Sequence, residues 1–375
     1  TMSERYQGGF VSLSFNPLGS QTSTYTYGLW TWGANNNGQL GLGNTTYRSS
    51  PMQVGALTNW STIEAASGII LAIKTDGTLW SWGSGTSGQL GGGTTVSKSS
   101  PIQVGALTNW LSVSSLYSFC LATKTDGTLW AWGRNDEGQL GDGTTANKSS
   151  PVQIGSLTTW SSVSAGVRSG YAIKTDGTLW SWGNNAYGQL GTANTIYRSS
   201  PVQVGALTTW SKVFGGAYSV LAIKTDGTLW AWGLNNYGQL GLGNTTYYSS
   251  PKQVGALTTW YLGSSSGSFC TAIKTDGTLW SWGLNSAGQL GLGNTTNYSS
   301  PKQVGALTTW SIISCLNVGT AAIKTDGTLW AWGQNLNGEL GLGNTTYYSS
   351  PKQVGAETSW YRVSGGNGIT SALKY

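Results

Sequence analysis

A Leu-Trp-x-Trp-Gly string returns every fifty residues, seven times over, with its first tryptophan at Trp30, Trp80, Trp130, Trp180, Trp230, Trp280 and Trp330. A fixed period of this length belongs to propellers, solenoids and arrays, whose units are too small to bury an apolar face alone. The period therefore overrides length: 375 residues would otherwise suggest about two or three domains. Charged residues make up only 9% of the chain, against the usual proportion of about a quarter. Gly, Ser, Thr and Asn fill the gap, which suits strands and tight turns, and no stretch keeps a helical period.

Each repeat spells the same elements. Leu71–Thr75 reads as a short apolar strand, and Asp76-Gly77 as a two-residue hairpin of type I′. Thr78–Trp82 is the return strand, with Trp80 and Trp82 on one face and Leu79 and Ser81 on the other. The residue between the tryptophans is always small, which suggests sheets packed closely face to face. A glycine-punctuated loop, Gly38 to Asn44, follows the equivalent strand of the first repeat. Ser49-Ser50-Pro51 then leads into a third strand, Gln53-Val54-Gly55, placed at an edge where proline is tolerated. Trp60 and the stretch around Ile63 make the fourth. Four strands in each of seven units predict an all-β, seven-bladed β-propeller over residues 24–375, after a leader at 1–23. The first repeat lacks the Ala-Ile-Lys strand and the chain ends on one. The prediction is that Ala372–Lys374 pairs with Leu29–Trp32, closing the ring with strands from both ends.

The string Lys-Thr-Asp-Gly-Thr-Leu-Trp-Ser-Trp-Gly, followed by Asn-x-x-Gly-Gln-Leu-Gly-x-Gly and Pro-x-x-Val, resembles the repeat of the regulator-of-chromosome-condensation propellers. The match runs through all seven repeats. Similar propellers include a nucleotide-exchange factor for a small GTPase, a secreted β-lactamase inhibitor and a plant ultraviolet-B receptor. The resemblance implies a disc that binds something on a face. The family's recurrent histidine falls at Ile69, Phe119, Ser169, Ser219, Phe269, Gly319 and Ile369, and no Gly-Trp-Arg-His stretch is present. Both departures argue against carrying over exchange-factor or photoreceptor activity. In the leader, Gly8-Gly9-Phe10 and Ser14-Phe15-Asn16-Pro17-Leu18 resemble the leaders of virion and fibre proteins of marine tailed phages.

The chain has no histidine, so neither a Ser-His-Asp set nor a Cys-His site can form. Most acids sit in the hairpins, and Asp136-Glu137 are neighbours on one loop rather than a pair across a cleft. No enzymatic activity, metal or cofactor is expected. The formal charge of +6 is spread around the repeats, without the clustered stripe that nucleic acid requires. No apolar run approaches membrane-spanning length, so no membrane insertion is expected. Cys120 and Cys270 lie three repeats apart and Cys315 elsewhere in its repeat, so no disulfide framework is implied. The 21 tryptophans fill three repeat positions and are read as core.

Positions that differ between repeats are free to serve a partner. One variable window contributes Tyr117, Phe119, Arg168, Tyr218, Phe269, Asn317 and Asn367 as candidate partner contacts. For Phe119, Phe269 and Ile69 the alternative is packing beneath the loops. A second window contributes Arg134, Tyr187 and Tyr237. A basic ring is drawn by Arg48, Lys98, Lys148, Arg198, Lys252, Lys302 and Lys352. Either their stems cover local apolar groups, or the ring faces an anionic surface such as lipopolysaccharide. The leading expectation is a non-enzymatic recognition module, virion-borne or extracellular, that binds a host surface glycan or protein. The alternatives are a structural virion component docked to other virion proteins through residues 1–20, and an intracellular partner-binding propeller of the GTPase-regulator or inhibitor kind. Homo-oligomerisation is left open.

Overall fold

The computed structural model describes residues 26–375. The described residues open with β1 (Gly28–Gly33) and β2 (Arg48–Gln53). The next four strands form one antiparallel sheet in chain order: β3 (Trp60–Ala65), β4 (Ile69–Lys74), β5 (Leu79–Gly83) and β6 (Lys98–Gln103). The strands from Trp110 to Gln353, β7–β26, repeat that sheet five times. The last two, β27 (Trp360–Gly365) and β28 (Ile369–Lys374), join β1 and β2 in a sheet ordered β2-β1-β28-β27. Its register places Leu29 opposite Leu373 and Trp30 opposite Ala372, as the sequence predicts. Counting this closing blade as the first, β3–β6 form the second and the four strands from Trp310 to Gln353 the seventh.

The first strand of each blade touches that of the next, and β27 touches β3, so the ring is closed. At five of the seven junctions a serine stitches these inner strands together. Ser364 Oγ accepts the Ala65 amide at 2.9 Å, Ser114 that of Ala165 at 3.0 Å, and Ser264 that of Cys315 at 2.9 Å. Such bonds satisfy backbone donors on an edge that no further strand can reach.

The glycine-rich loop is the second stitch. Each lies on the inner tryptophan of the following blade. The Trp132 indole donates to Gln89 O at 2.9 Å, Trp182 to Gln139 O at 2.9 Å, and Trp32 to Glu339 O at 2.9 Å. Gly141 shows why glycine is needed: its φ is +79°, and a Cβ there would lie 2.8 Å from the Trp182 indole nitrogen. The small residue between the tryptophans faces its own loop instead, with Ser81 Oγ donating to Leu90 O at 2.6 Å. Close packing between sheets therefore runs through this loop.

Two local expectations are corrected. Asp76 is not in the left-handed region, which a type I′ turn would require; Ala193 is the only non-glycine with positive φ among the described residues. The Gly77 amide bonds to Lys74 O at 2.9 Å, and Lys74 N to Thr78 O at 3.0 Å. This is a three-residue loop ending in a glycine bulge, Gly77 having a φ of 77°. Asp76 serves by its side chain, accepting the Thr78 amide at 2.9 Å and hydroxyl at 2.7 Å. The outer strand is also shifted: it runs from Arg48 to Gln53, with Pro51 inside it, rather than from Gln53 to Gly55. Being outermost, it has one side with no ladder to break.

Not every tryptophan is core. The Trp60 and Trp82 series are buried, whereas Trp80 and its equivalents are half-buried. Lys74 Nζ lies 3.8 Å from the Trp80 ring centroid and 5.0 Å from that of Trp60, and this stack recurs in all seven blades. The lysines that recur with the repeat are thus cation–π partners.

Candidate binding face

The strand order divides the loops between two faces. One face carries the Thr-Asp-Gly turns and the links between blades; we call it the turn face. The other carries the short turns at 66–68 and the long loops at 84–97, with their equivalents; this is the loop face. Both variable windows lie on the loop face, and they are joined. Because Ile69 is paired with Gly83, the residues just outside that pair must meet. Ser84 N donates to Gly68 O at 2.8 Å, Arg134 N to Ser118 O at 2.9 Å, and Asn184 N to Arg168 O at 2.9 Å. The two windows are one surface.

Over the third to fifth blades this surface is charged and aromatic. Arg134 binds Asp136 with contacts of 2.7 and 2.5 Å. That bond raises the Arg134 pKa and lowers that of Asp136. Arg168 crosses from the next blade to pair with Glu137, and this bond holds its pKa up. Asn184 Nδ2 donates to the other Glu137 oxygen at 2.5 Å. Tyr187 packs edge-on against Tyr218, with centroids 5.1 Å apart, and against Tyr247 at 5.9 Å. Tyr117 and Tyr237 stand exposed beside this cluster. Asn317 and Asn367 are exposed across the disc and bond to each other at 3.1 Å.

Phe119 and Phe269 do not belong to the surface. Both are fully buried, as is Ile69, so they hold the loops up from below and cannot touch a partner. The basic ring is also two arcs rather than one circle. Arg48, Lys98, Lys148 and Arg198 sit opposite Gly33, Gly83, Gly133 and Gly183, at the loop-face end of the outer strand. Lys252, Lys302 and Lys352 sit opposite Ala231, Ser281 and Ala331, further toward the turn face. The latter three lie 5.4 to 5.5 Å from the rings of Tyr248, Tyr298 and Tyr348 on their own strands. Lys148 pairs with Asp142 at 3.5 Å.

Sequence reasoning passed over Asp136 and Glu137 as partners of the arginines, Asn184 as a partner of Glu137, and Tyr247 as part of the aromatic cluster. It also passed over a polar cavity of about 390 Å³ on the same face, over the closing and second blades. The signal was present: Ala34 and Ser84 are the two smallest residues at a position that holds Arg134, Asn184, Leu234, Leu284 and Gln334 elsewhere. Among the described residues no group of three or more His, Cys, Asp or Glu could hold a metal ion. Nor is any helix there long and apolar enough to cross a membrane.

The RCC1-like domain model matches residues 28–372. No curated protein matches the sequence. Human WBSCR16 has the same architecture at 21% identity, covering 93% of this chain and 98% of that one, with a TM-score of 0.84. Prp20p from Saccharomyces cerevisiae aligns at 18% identity over 99% of this chain and 94% of its own, TM-score 0.86. Yeast RCC1 (Prp20) bound to Kap60 gives 17%, 94% and 89%, TM-score 0.85. At these identities the likeness is one of fold.

Proposed function

Because the chain belongs to the RCC1-like domain family, we propose that it is a non-catalytic module that binds a protein partner through its loop face. The observation that carries this reading is the convergence of both variable windows on that face, where they build a cluster of arginine and tyrosine. These residue types dominate interface hot spots, because they combine large contact area with directional hydrogen bonds. The cluster is preorganised: Glu137 holds Arg168 and Asn184 together, and Tyr187 is wedged between two rings. Little side-chain freedom remains to be lost on binding.

The relatives support a protein as the partner. The yeast Prp20p structure was described together with its binding properties to Gsp1p and histones, and yeast RCC1 was solved bound to Kap60. A virion or extracellular setting rests instead on the leader at 1–23, which lies outside the described residues. Hydrogen exchange on the full chain, with and without a partner captured from cytosol, tests the reading. Protection is expected at 134–137, 166–169, 184–187 and 217–219. Protection confined to the turn face or the perimeter would overturn it.

A further inference from the structure

We infer that the cavity over the closing and second blades is a binding site for a neutral saccharide, adjoining the charged cluster on the same face but built from other residues than its arginines and acids. The cavity measures about 390 Å³, within the range of small-ligand clefts. It exists because Ala34 and Ser84, in adjacent blades, leave empty the space that larger residues fill in the other five.

Its chemistry is narrow. The lining is mostly amide and hydroxyl, with Asn36, Asn37, Gln39, Gln89, Asn337 and Asn367 supplying the amides, and no charged side chain contributes. Gln39 is only 4% exposed. Its Oε1 accepts the Asn37 backbone amide at 2.8 Å, and its Nε2 has no partner among the described residues. The side-chain amides of Asn37 and Asn337 likewise bond to nothing there. These amides line the open side of the cavity, where they are available to a ligand or to water. Tyr47 and Tyr117, 43% and 40% exposed, stand at the rim. Asn36 fixes the Tyr47 hydroxyl.

Paired donors and acceptors match the vicinal hydroxyls of a pyranose, with the two tyrosines at the rim within reach of a bound ring. A phosphorylated or carboxylated ligand would lack a cation here. A hydrophobic ligand or an extended peptide would lack apolar pockets or a free strand edge.

The test is saturation-transfer NMR and calorimetry on the full chain with malto-, chito-, xylo- and galacto-trioses, and a galacturonate trimer as the anionic comparator. At least one neutral trisaccharide should bind with a Kd of about 1 mM or tighter, with saturation reaching Tyr47 or Tyr117. Asn37→Ala and Ser84→Leu should each weaken it about fivefold or more. The second variant installs the residue that two sister blades carry at that place, so it preserves the fold. Arg168→Ala, in the protein-binding cluster, should leave sugar binding unchanged, which separates this inference from the proposed function. Binding that survives Ser84→Leu, equal or tighter binding of galacturonate, or no binding of any neutral probe at about 20 mM would each overturn it.

Discussion

The turn face and the loop face are built by the same fifty-residue repeat, yet they spend their residues differently. On the turn face every blade shows the same Lys-Thr-Asp-Gly-Thr geometry, or the part of it that the chain ends allow, and the same lysine over two tryptophans. On the loop face the glycines and the Gln-Leu pair recur, while the residues between them change from Arg134 to Leu234 to Ala34. The lesson is that backbone duties fix the first face and only part of the second. What a loop residue does not owe to a turn, a clasp or a buried contact can be given to a ligand.

The largest effect should come from breaking the clasp that both faces depend on. Gly141→Val drives a side chain into the Trp182 indole and strains a positive φ. It should cost about 3 kcal/mol or more in denaturant unfolding, whereas Tyr187→Ala on the loop face should cost about 1 kcal/mol or less. Acid sharpens the comparison. The bond from the Thr128 hydroxyl holds the Asp126 carboxyl below its ordinary range, and Thr228 and Thr278 do the same for Asp226 and Asp276. A carboxylate with a depressed folded pKa stabilises above its unfolded value and loses that contribution as pH falls toward the folded one. The aspartates' contribution should therefore be constant above about pH 5 and fall progressively below about pH 4. Asp126→Asn combined with Asp226→Asn should lower the starting stability and flatten the fall. Removing one cation from a stack, Lys124→Met, should cost about 1 kcal/mol without altering any loop-face binding. The smallest effect is a gain. Ala193 has a φ of 61° where the other six repeats carry glycine, so Ala193→Gly should raise stability by about 1 kcal/mol.

The scaffold was legible because its signals are local and repeated. Alternation in Leu-Trp-Ser-Trp, the Asp-Gly turn and the fifty-residue return each point to the same sheet, and the missing first strand points to its substitute at Ser371–Lys374. The turn type was misread because Asp-Gly serves two-residue and three-residue loops alike; the bond from Thr78 to Asp76 decides between them. The fusion of the two variable windows could have been derived from the hairpin register, since pairing Ile69 with Gly83 sets Gly68 beside Ser84. The cavity was legible only in part, from the small Ala34 and Ser84. Its walls come from Asn37, Tyr117, Asn337 and Asn367, which lie in three different blades and meet only when the ring closes. For Phe119 and Phe269 the sequence left contact and packing beneath the loops both open, because a variable position and an exposed one look alike in sequence; the structure decides for packing.

The most direct measurement compares the two faces in a single binding assay. The affinity of a captured protein partner is measured for the unaltered chain, for Arg168→Ala with Tyr218→Ala on the loop face, and for Leu207→Ser with Leu257→Ser, two exposed leucines of the turn face. The account predicts a loss of about tenfold or more for the loop-face pair and no change for the turn-face pair, with both variants folded. Loss in the turn-face pair and full affinity in the loop-face pair would contradict it.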